Sequence, residues 1–299
     1  VFKCSFHYVV SIFGLQRYKI VTTIIDKKYV KKVTIFDKWS FDLKVLTLNG
    51  LKDQSWRNSC VKLPSFDIEM VIDNTLKSPK WIHVAPSNIY RAMIAPLQQK
   101  LIDLGLSEEG MIAIETYDKQ IIDEIYHPHD NLSICVVMYP DGRNEFMVVA
   151  NVADSIYADI SVPDAWEKSL CYFSEESLQM VSVTCTEKGY DFQSMNDFDT
   201  GPNKPSHIMA KMTAFAYRRY RSTSAPIAFV SMDNCSENGK RFHDAVMKVS
   251  MEWLNRGFVD KNFIDYLNHK VSFPYTMIDR ITPRPSPEVK HKLEEIGID

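Results

Sequence analysis

The chain has 299 residues and 45% of them are hydrophobic, so it can bury a core in one large or two moderate domains. Its net charge of -3 and its isoelectric point near 6.3 lack the basic excess that a phosphate backbone requires, so no nucleic-acid partner is predicted. Its six cysteines have neither a Cys-x-x-Cys pair nor a Cys/His ligand spacing, which favours reduced thiols in the cytoplasm and predicts no metal site.

Residues 1–44 differ in character from the rest, and we interpret them as an amino-terminal extension or an artefact of where the reading frame was opened. The apolar run at residues 8–14 is too short to cross a bilayer and has no basic start or cleavage site, so no membrane association is predicted. Four lysines lie close together in this region: Lys27, Lys28, Lys31 and Lys32. They could bind an anionic surface, but we prefer to interpret them as the solvated edge of a strand.

From residue 81 onward, short β-branched runs alternate with helical stretches, which is typical of a mostly parallel sheet covered by helices. Strands are predicted at residues 82–85 and 111–115, and helices at 88–104 and 118–126. In the first helix, spacings of three and four predict one buried stripe: Ile94, Leu97, Leu101 and Leu104. In the second, the residues expected to be buried are Ile121, Ile122 and Ile125.

An Asp-Gly turn within residues 140–143 predicts an antiparallel hairpin of residues 132–138 and 145–152. Helices are then expected at 165–173, 208–219 and 237–256, and strands at 178–184 and 227–231. The last helix has a glycine cap at Gly257 and one apolar face, formed by Phe242, Val246, Val249 and Trp253. Prolines at 283, 285 and 287 predict an extended linker, so we place a domain boundary after residue 284.

The turn after the first strand, residues 83–91, reads His-Val-Ala-Pro-Ser-Asn-Ile-Tyr-Arg. In a βαβ nucleotide-binding unit the backbone amides of this turn approach a pyrophosphate, which is why glycines are expected there. Ala85 and Ser87 instead carry a Cβ, which would crowd the phosphates or strain a backbone of positive φ. An ordinary strand-to-helix turn capped by Ser87 or Asn88 is the alternative.

A carboxylate follows the second predicted strand, and either Glu115 or Asp118 could supply it. A carboxylate in this place can accept hydrogen bonds from the adenosine ribose of NAD and repel the 2'-phosphate of NADP. Asp118 fits equally well as the cap of the next helix.

Three further polar segments each follow or include an apolar stretch that resembles a strand. Residues 184–190 read Thr-Cys-Thr-Glu-Lys-Gly-Tyr, residues 231–236 read Ser-Met-Asp-Asn-Cys-Ser, and residues 273–283 read Phe-Pro-Tyr-Thr-Met-Ile-Asp-Arg-Ile-Thr-Pro. Open α/β sheets bind ligands beyond the carboxyl ends of their strands, where amide groups can stabilise an alkoxide developing on a sugar carbon. The alternatives are a surface turn, helix capping by Asn234 or Ser236, and an ion pair of Asp279 with Arg280.

These four segments, in this order, resemble the long-chain mannitol dehydrogenase family. The resemblance implies an α/β fold with a Rossmann-like, doubly wound, mostly parallel sheet and an antiparallel hairpin insertion, and it implies NAD as the cofactor. It places Asn234 at the substrate oxyanion and Asp279 beside nicotinamide and substrate. The cofactor-binding positions that it implies are Ala85, Ser87, Asn88, Arg91, Glu115, Asp118, Thr186 and Lys188.

The implied activity is hydride transfer between NAD and a secondary alcohol of a sugar acid or polyol. The segments at 231–236 and 279–285 look most like the mannonate oxidoreductase, or fructuronate reductase, branch, with mannitol 2-dehydrogenase and tagaturonate reductase as alternatives. A non-catalytic NAD-binding or interaction module is an alternative of a different class.

Members of the family use a lysine in a Lys-x4-Asn-x2-His arrangement on a helical carboxy-terminal domain, and no lysine of this chain has that spacing. We therefore expect a truncated chain with little or no activity. Residues 45–284 would form the NAD-binding domain and residues 285–299 the beginning of the missing helical domain. Loss of that domain would uncover an apolar cleft face, through which we expect self-association.

Overall fold

A computed structural model of the chain describes the backbone of residues 8–11 and, with their side chains, residues 44–191, 197–280, 282 and 286–298. The predicted lysine-bearing strand edge and the prolines at 283 and 285 lie outside these ranges. In the part of the chain that the structure describes, no helix is long and apolar enough to cross a membrane.

The strands are β1 (Tyr8–Ser11), β2 (Val61–Lys62), β3 (Trp81–Val84), β4 (Met111–Glu115), β5 (Ser133–Met138), β6 (Asn144–Val149), β7 (Val152–Tyr157), β8 (Met180–Val183), β9 (Ile227–Ser231) and β10 (Val271–Ser272). The α-helices are α1 (Gln54–Arg57), α2 (Ile68–Lys77), α3 (Ala95–Asp103), α4 (Pro163–Ser174), α5 (Asp197–Thr200), α6 (Ile208–Ser222), α7 (Asn238–Asn255), α8 (Lys261–Lys270) and α9 (Pro287–Glu295). Two π-helical stretches, Tyr90–Ile94 and Ile121–Tyr126, follow β3 and β4.

Six strands form one parallel sheet in the order β10-β9-β8-β3-β4-β7. The chain runs outward from β3 to β4 and β7, and then returns to the other side of β3 to add β8, β9 and β10. This reversal next to β3 makes the sheet doubly wound and confirms the expected Rossmann-like α/β fold.

A second, four-stranded sheet has the order β1-β5-β6-β2, in which β5 and β6 pair antiparallel as the Asp-Gly turn predicts. The prediction of one strand over residues 145–152 is wrong, because β6 ends at Val149 and β7 joins the parallel sheet. Between them, Asn151 accepts a hydrogen bond from Met111 N at 2.7 Å and donates its side-chain amide to Ala95 O at 3.0 Å. Asn151 is the single polar residue between the apolar run of β6 and the apolar start of β7, which is too weak a signal to predict the change of sheet.

The first predicted helix forms, but the expected stripe along it is wrong. Ile94 is buried as predicted, but Leu97, Leu101 and Leu104 are 56%, 42% and 61% exposed, and the other buried positions are Ala95, Gln98, Gln99 and Ile102. Within α3, Ala95, Gln98 and Ile102 also recur at spacings of three and four, and this side of the helix packs inward. Gln99 satisfies its buried amide on β6, where it donates to Val148 O and accepts from Ala150 N, both at 2.7 Å.

Helices α4, α6, α7 and α8 cover one face of the parallel sheet, and the predicted face of α7 is fully buried there: Phe242, Val246, Val249 and Trp253. A separate core lies under the second sheet. In it, Val289 and Leu293 of α9 and the following Ile298 pack with Leu46 and Trp56. Residues 286–298 are thus in contact with the segment that contains Leu46 and Trp56. The division into domains at residue 284 stays a prediction.

Candidate active site

The carboxyl ends of β3 and β8 mark the place where the sheet changes its winding direction. These strands are neighbours, and the segments that follow them leave for different parts of the fold, which opens a crevice between them. The hydroxyl of Thr184, just after β8, donates to Ala85 O, just after β3, at 2.7 Å. Two of the four polar segments found in the sequence therefore meet across this crevice.

The turn after β3 adopts the conformation that a glycine would favour. Ala85 has φ 62°, which costs an L-residue on the order of 1 kcal/mol. Its N–H donates to Ile114 O of β4 at 2.8 Å, and its carbonyl also accepts the N–H of Ser87 at 2.8 Å. The positive φ considered for this position is thus present, and the backbone of Ala85 is bonded on both sides of β3.

Arg91 and Asn88 support this turn from the first turn of the following helix. Arg91 is 2% exposed, donates to Pro86 O at 2.7 Å and donates to Asn88 Oδ1 at 2.7 Å. The hydroxyl of Tyr126 reaches the same Pro86 carbonyl at 3.1 Å. The first amides of such a helix have no intrahelical acceptor and favour an anion. Direct contact of Arg91 with a cofactor stays a prediction.

Glu115 ends β4 as a buried carboxylate that organises the next turn. Its Oε1 accepts the N–H groups of Thr116 and Tyr117 at 2.8 Å and of Asp118 at 3.3 Å. Burial raises the pKa of Glu115, and these amide hydrogen bonds oppose the rise. Asp118 accepts the N–H of Gln120 at 3.0 Å, which is the capping geometry considered as its alternative role.

A buried lysine that the sequence reading did not single out braces this acidic turn. Lys211 of α6 is 1% exposed, and its ammonium group donates to Thr116 O at 2.7 Å, Ala158 O at 3.0 Å and Asp159 Oδ2 at 2.6 Å. The pKa of Asp159 is lowered because its hydrogen bonds to Lys211 and Ser161 outweigh the effect of burial. The signal for this buried lysine in the sequence was its position as a single cation inside the apolar stretch of α6.

The segments after β8 and β9 are joined by short hydrogen bonds. The hydroxyl of Tyr190 lies 2.5 Å from Ser231 Oγ and donates to Asp233 Oδ2 at 2.5 Å. Burial raises the pKa of this phenol, and it raises the pKa of the neighbouring Cys185 thiol to about 12. Both groups are therefore neutral at physiological pH. Thr186 and Lys188, two predicted cofactor ligands, lie exposed on the adjoining turn.

The two predicted catalytic residues lie together at the same edge of the sheet. Asn234 Oδ1 accepts the N–H of Asp279 at 2.8 Å, and Asn234 Nδ2 is 3.5 Å from Arg280 O. Both side chains are exposed, and Asp279 has φ 44°. The long Nδ2 contact leaves the amide of Asn234 able to donate a stronger hydrogen bond to a bound oxygen.

Asn238, which sequence reasoning missed, fastens the segment around Asp279 to the start of α7. Its Nδ2 donates to Thr276 O at 3.0 Å, and its Oδ1 accepts Thr276 N at 3.1 Å. At the next position, a Cβ added to Gly239 would lie 2.5 Å from Phe273 O, so only glycine permits this close approach. An Asn-Gly pair at a helix start was the signal for such a contact.

Two other features lie apart from this site. A cavity of about 610 Å³ opens at the amino-terminal edge of the same strands, beside Ile227, Ala228 and Val271, and so at the wrong edge for a ligand of an open α/β sheet. His127 and His129 contact the backbone carbonyls of Ser155 and Leu46. No group of three or more metal-ligating side chains occurs among the residues with described side chains.

Residues 79–296 match the model of the mannitol dehydrogenase Rossmann domain. The chain belongs to this family. It is 40% identical to the D-mannonate oxidoreductase of Thermotoga maritima over 264 residues, which cover 85% of this chain and 49% of that protein. It is 24% identical to the mannitol 2-dehydrogenase of Phaeosphaeria nodorum over 73% of this chain and 39% of that protein.

Solved structures agree with this assignment at the level of the fold. A D-sorbitol dehydrogenase in substrate-free form superposes with a TM-score of 0.67 at 21% identity, over 82% of this chain and 51% of that one. The mannitol 2-dehydrogenase of Pseudomonas fluorescens, solved with NAD and D-mannitol, superposes with a TM-score of 0.64 at 20% identity, over 80% and 48%. This member of the mannitol dehydrogenase family thus spans about half the length of the relatives that it matches.

Proposed function

We propose that this chain provides the NAD-binding part of an oxidoreductase that interconverts a secondary alcohol and a ketone on a sugar acid, with mannonate and fructuronate as the favoured pair. The observation that carries the proposal is the meeting of Asn234 with the backbone of Asp279 at the edge of the sheet where open α/β sheets bind ligands. The 40% identity to a D-mannonate oxidoreductase, compared with 24% to a mannitol 2-dehydrogenase, supports a sugar acid as the substrate class.

The side chains at the switch point fit a dinucleotide. The turn at Ala85 has a positive φ and leads into a helix start, an arrangement that accepts a pyrophosphate. Glu115 Oε1 is occupied by three backbone amides, which leaves Oε2 to accept hydrogen bonds from the adenosine ribose and to repel a 2'-phosphate. NAD bound here would supply the hydride acceptor for oxidation of the alcohol.

In this proposal, Asn234 and Asp279 serve the substrate end of the crevice. Asn234 Nδ2 would donate to the substrate oxygen as negative charge develops on it, and the Asn234 Oδ1 bond to Asp279 N holds the amide in that orientation. Asp279 would accept hydrogen bonds from a substrate hydroxyl. The alcohol proton passes to a general base, for which the family uses a lysine with a spacing that this sequence does not contain.

Mannitol 2-dehydrogenase and tagaturonate reductase activities remain as alternatives, because the contacts that select one sugar belong in large part to the other half of the family's length. A candidate of a different class is a module that binds NAD without turnover. A protein that has lost nucleotide binding is a third, and the Cβ atoms of Ala85 and Ser87 are the features in its favour.

Titration of the purified chain with NADH, followed by the fluorescence of the nicotinamide, tests the proposal. We expect saturable binding in the micromolar range and weaker binding of NADPH. Glu115→Gln should weaken NADH binding by about tenfold and narrow the preference over NADPH, because one charge-assisted hydrogen bond to the ribose is lost.

The matched control is Glu145→Gln, which makes the same charge change on the hairpin. The carboxylate of Glu145 forms an exposed ion pair with Lys62 of β2. This variant should bind NADH like the parent chain. If the parent chain binds no NADH even at millimolar concentrations, the third candidate replaces the proposal. Binding with no oxidation of mannonate would support the non-catalytic module.

A further inference from the structure

Beneath the turn at Ala85, four side chains form one continuous line of hydrogen bonds between β3 and β8. Trp81 Nε1 donates to Ser182 Oγ at 2.7 Å, and the same oxygen lies 2.7 Å from His83 Nδ1. His83 Nε2 lies 3.3 Å from Thr184 Oγ1, which in turn donates to Ala85 O at 2.7 Å. His83 and Ser182 are completely buried, so water does not compete for the bond between them.

The chemistry of the groups gives this line a single direction. An indole N–H only donates, so the hydroxyl proton of Ser182 is left for His83 Nδ1. A neutral imidazole that accepts at Nδ1 carries its proton on Nε2, which is then available to donate to Thr184. Burial lowers the pKa of His83 to about 3, so the ring is neutral near pH 7. The ring is also stacked on Tyr90, with the centroids 4.4 Å apart.

The line ends on the one residue of the turn whose backbone is strained. The carbonyl of Ala85 accepts the hydroxyl of Thr184, the residue that follows β8, and its N–H donates to Ile114 O on β4 at 2.8 Å. Both peptide groups of an L-residue at φ 62° are therefore anchored on the two sides of β3. Without the Thr184 bond, Ala85 could relax toward negative φ, and the amides of the following turn would move with it.

We propose that the Trp81, Ser182, His83 and Thr184 line holds Ala85 in the left-handed conformation and thereby takes over the part that a glycine plays in the turn of a βαβ nucleotide-binding unit. His83 and Thr184 are positioning residues in this inference, since they act on the turn and not on the cofactor. The inference rests on the proposed dinucleotide site for its consequence, which is a turn already shaped for a pyrophosphate.

A double-mutant cycle of Thr184→Val and Ala85→Gly tests the line, with Kd measured calorimetrically for NADH and for ADP-ribose. Thr184→Val alone should raise both Kd values by about tenfold, because the clamp on a strained residue is lost. In the Ala85→Gly background the same change should raise them by about twofold or less, since glycine needs no clamp. Thr184→Ser, which keeps the hydroxyl, should bind like the parent chain.

Thr213→Val is the matched control, because its buried hydroxyl also donates to a backbone carbonyl, that of Met209, at 2.7 Å, but inside α6. Thr213→Val should change the Kd values by the same factor whether position 85 is alanine or glycine. Equal effects of Thr184→Val in the two backgrounds would overturn the inference. The cycle can also be measured without ligand, as the Tm of each variant. Ala85→Gly should then restore the Tm that Thr184→Val lowers. A chain that binds no NADH would therefore refute the proposed function and leave the inference testable by Tm.

Discussion

At the scale of single residues, the site is built from polar side chains whose hydrogen bonds are made within the protein. Arg91 and Lys211 are 2% and 1% exposed, and both donate to backbone carbonyls of the turns beside the crevice. Burying a charge is unfavourable unless it is paired and hydrogen-bonded, so these residues hold their turns in one arrangement. Asn234 and Asp279 are exposed instead, and their contact with a substrate stays a prediction.

His83 should make the stability of the fold depend on pH. Burial lowers its pKa from 6.5 to about 3 in the folded protein, so between these values the unfolded chain binds a proton that the folded protein does not. The contribution of His83 to the free energy of unfolding is therefore complete above pH 6.5 and is lost on acidification, by about 1.4 kcal/mol per pH unit. Urea unfolding at several pH values from 6.5 to 5 measures this slope.

His83→Asn should be less stable at neutral pH and should lack this part of the slope. His291→Asn is the comparison, because the side chain of His291 is 71% exposed on α9. A slope that is the same in His83→Asn and in the parent chain would contradict the burial of a neutral imidazole under the turn.

At the scale of elements, α3 packs inward with the side that carries Gln98 and Ile102 and not with the leucine stripe predicted from the sequence. Leu101 and Ile102 are neighbours in the chain, yet Leu101 is 42% exposed and Ile102 only 6%. Leu97 and Leu101 also follow a helical spacing, but the side of the helix that they form faces water. Ile102 and Gln99 are directed inward instead, where the amide of Gln99 bonds to the backbone of β6.

Alanine substitutions at the neighbouring positions 101 and 102 test the orientation of α3. Ile102→Ala should reduce the free energy of unfolding by about 2–4 kcal/mol, because it leaves a cavity in a packed interior. Leu101→Ala should change it by about 0.5 kcal/mol or less, since its side chain is largely in water. Chemical denaturation measures the free energy of unfolding of both variants. A larger loss for Leu101→Ala than for Ile102→Ala would support the leucine stripe predicted from the sequence.

At the scale of the whole molecule, one sheet edge collects residues that are far apart in the chain. Thr184 bonds to Ala85, Tyr190 bonds to Asp233, and Asn234 bonds to the backbone of Asp279. Each bond joins segments that follow different strands, so the crevice exists only when the sheet is complete. A second core, which includes α9 and the residues around Trp56, packs separately under the four-stranded sheet.

Self-association should occur through the apolar surface beside this crevice. Tyr275 and Met277 are 62% and 64% exposed, close in sequence to Asp279. We expect the chain to elute from a sizing column with an apparent mass above that of a monomer as its concentration rises, and Met277→Gln to reduce this shift. Leu104→Gln, at a residue 61% exposed on the distant end of α3, is the control and should leave the shift unchanged. A sharp monomer peak at high concentration would contradict the prediction.

The sequence by itself determined the elements that one strong local pattern specifies. The apolar face of α7, the glycine after it and the hairpin at the Asp-Gly turn follow from spacing and turn chemistry, and the ordered motifs were enough to recognise the family. The separation of β6 from β7 and the orientation of α3 were not predictable. Only one polar residue, Asn151, interrupts the apolar run between the strands, and helical spacing in α3 fits more than one side of the helix.

Only the tertiary structure decided how the site is held. His83, Lys211 and Asn238 make their bonds to residues distant in sequence, up to 101 positions away for His83 with Thr184. Such contacts depend on the order of strands in the sheet, which local propensity does not encode. The sequence identified Ala85 as a residue in place of glycine, and the fold supplied the neighbouring strands whose hydrogen bonds hold it at positive φ.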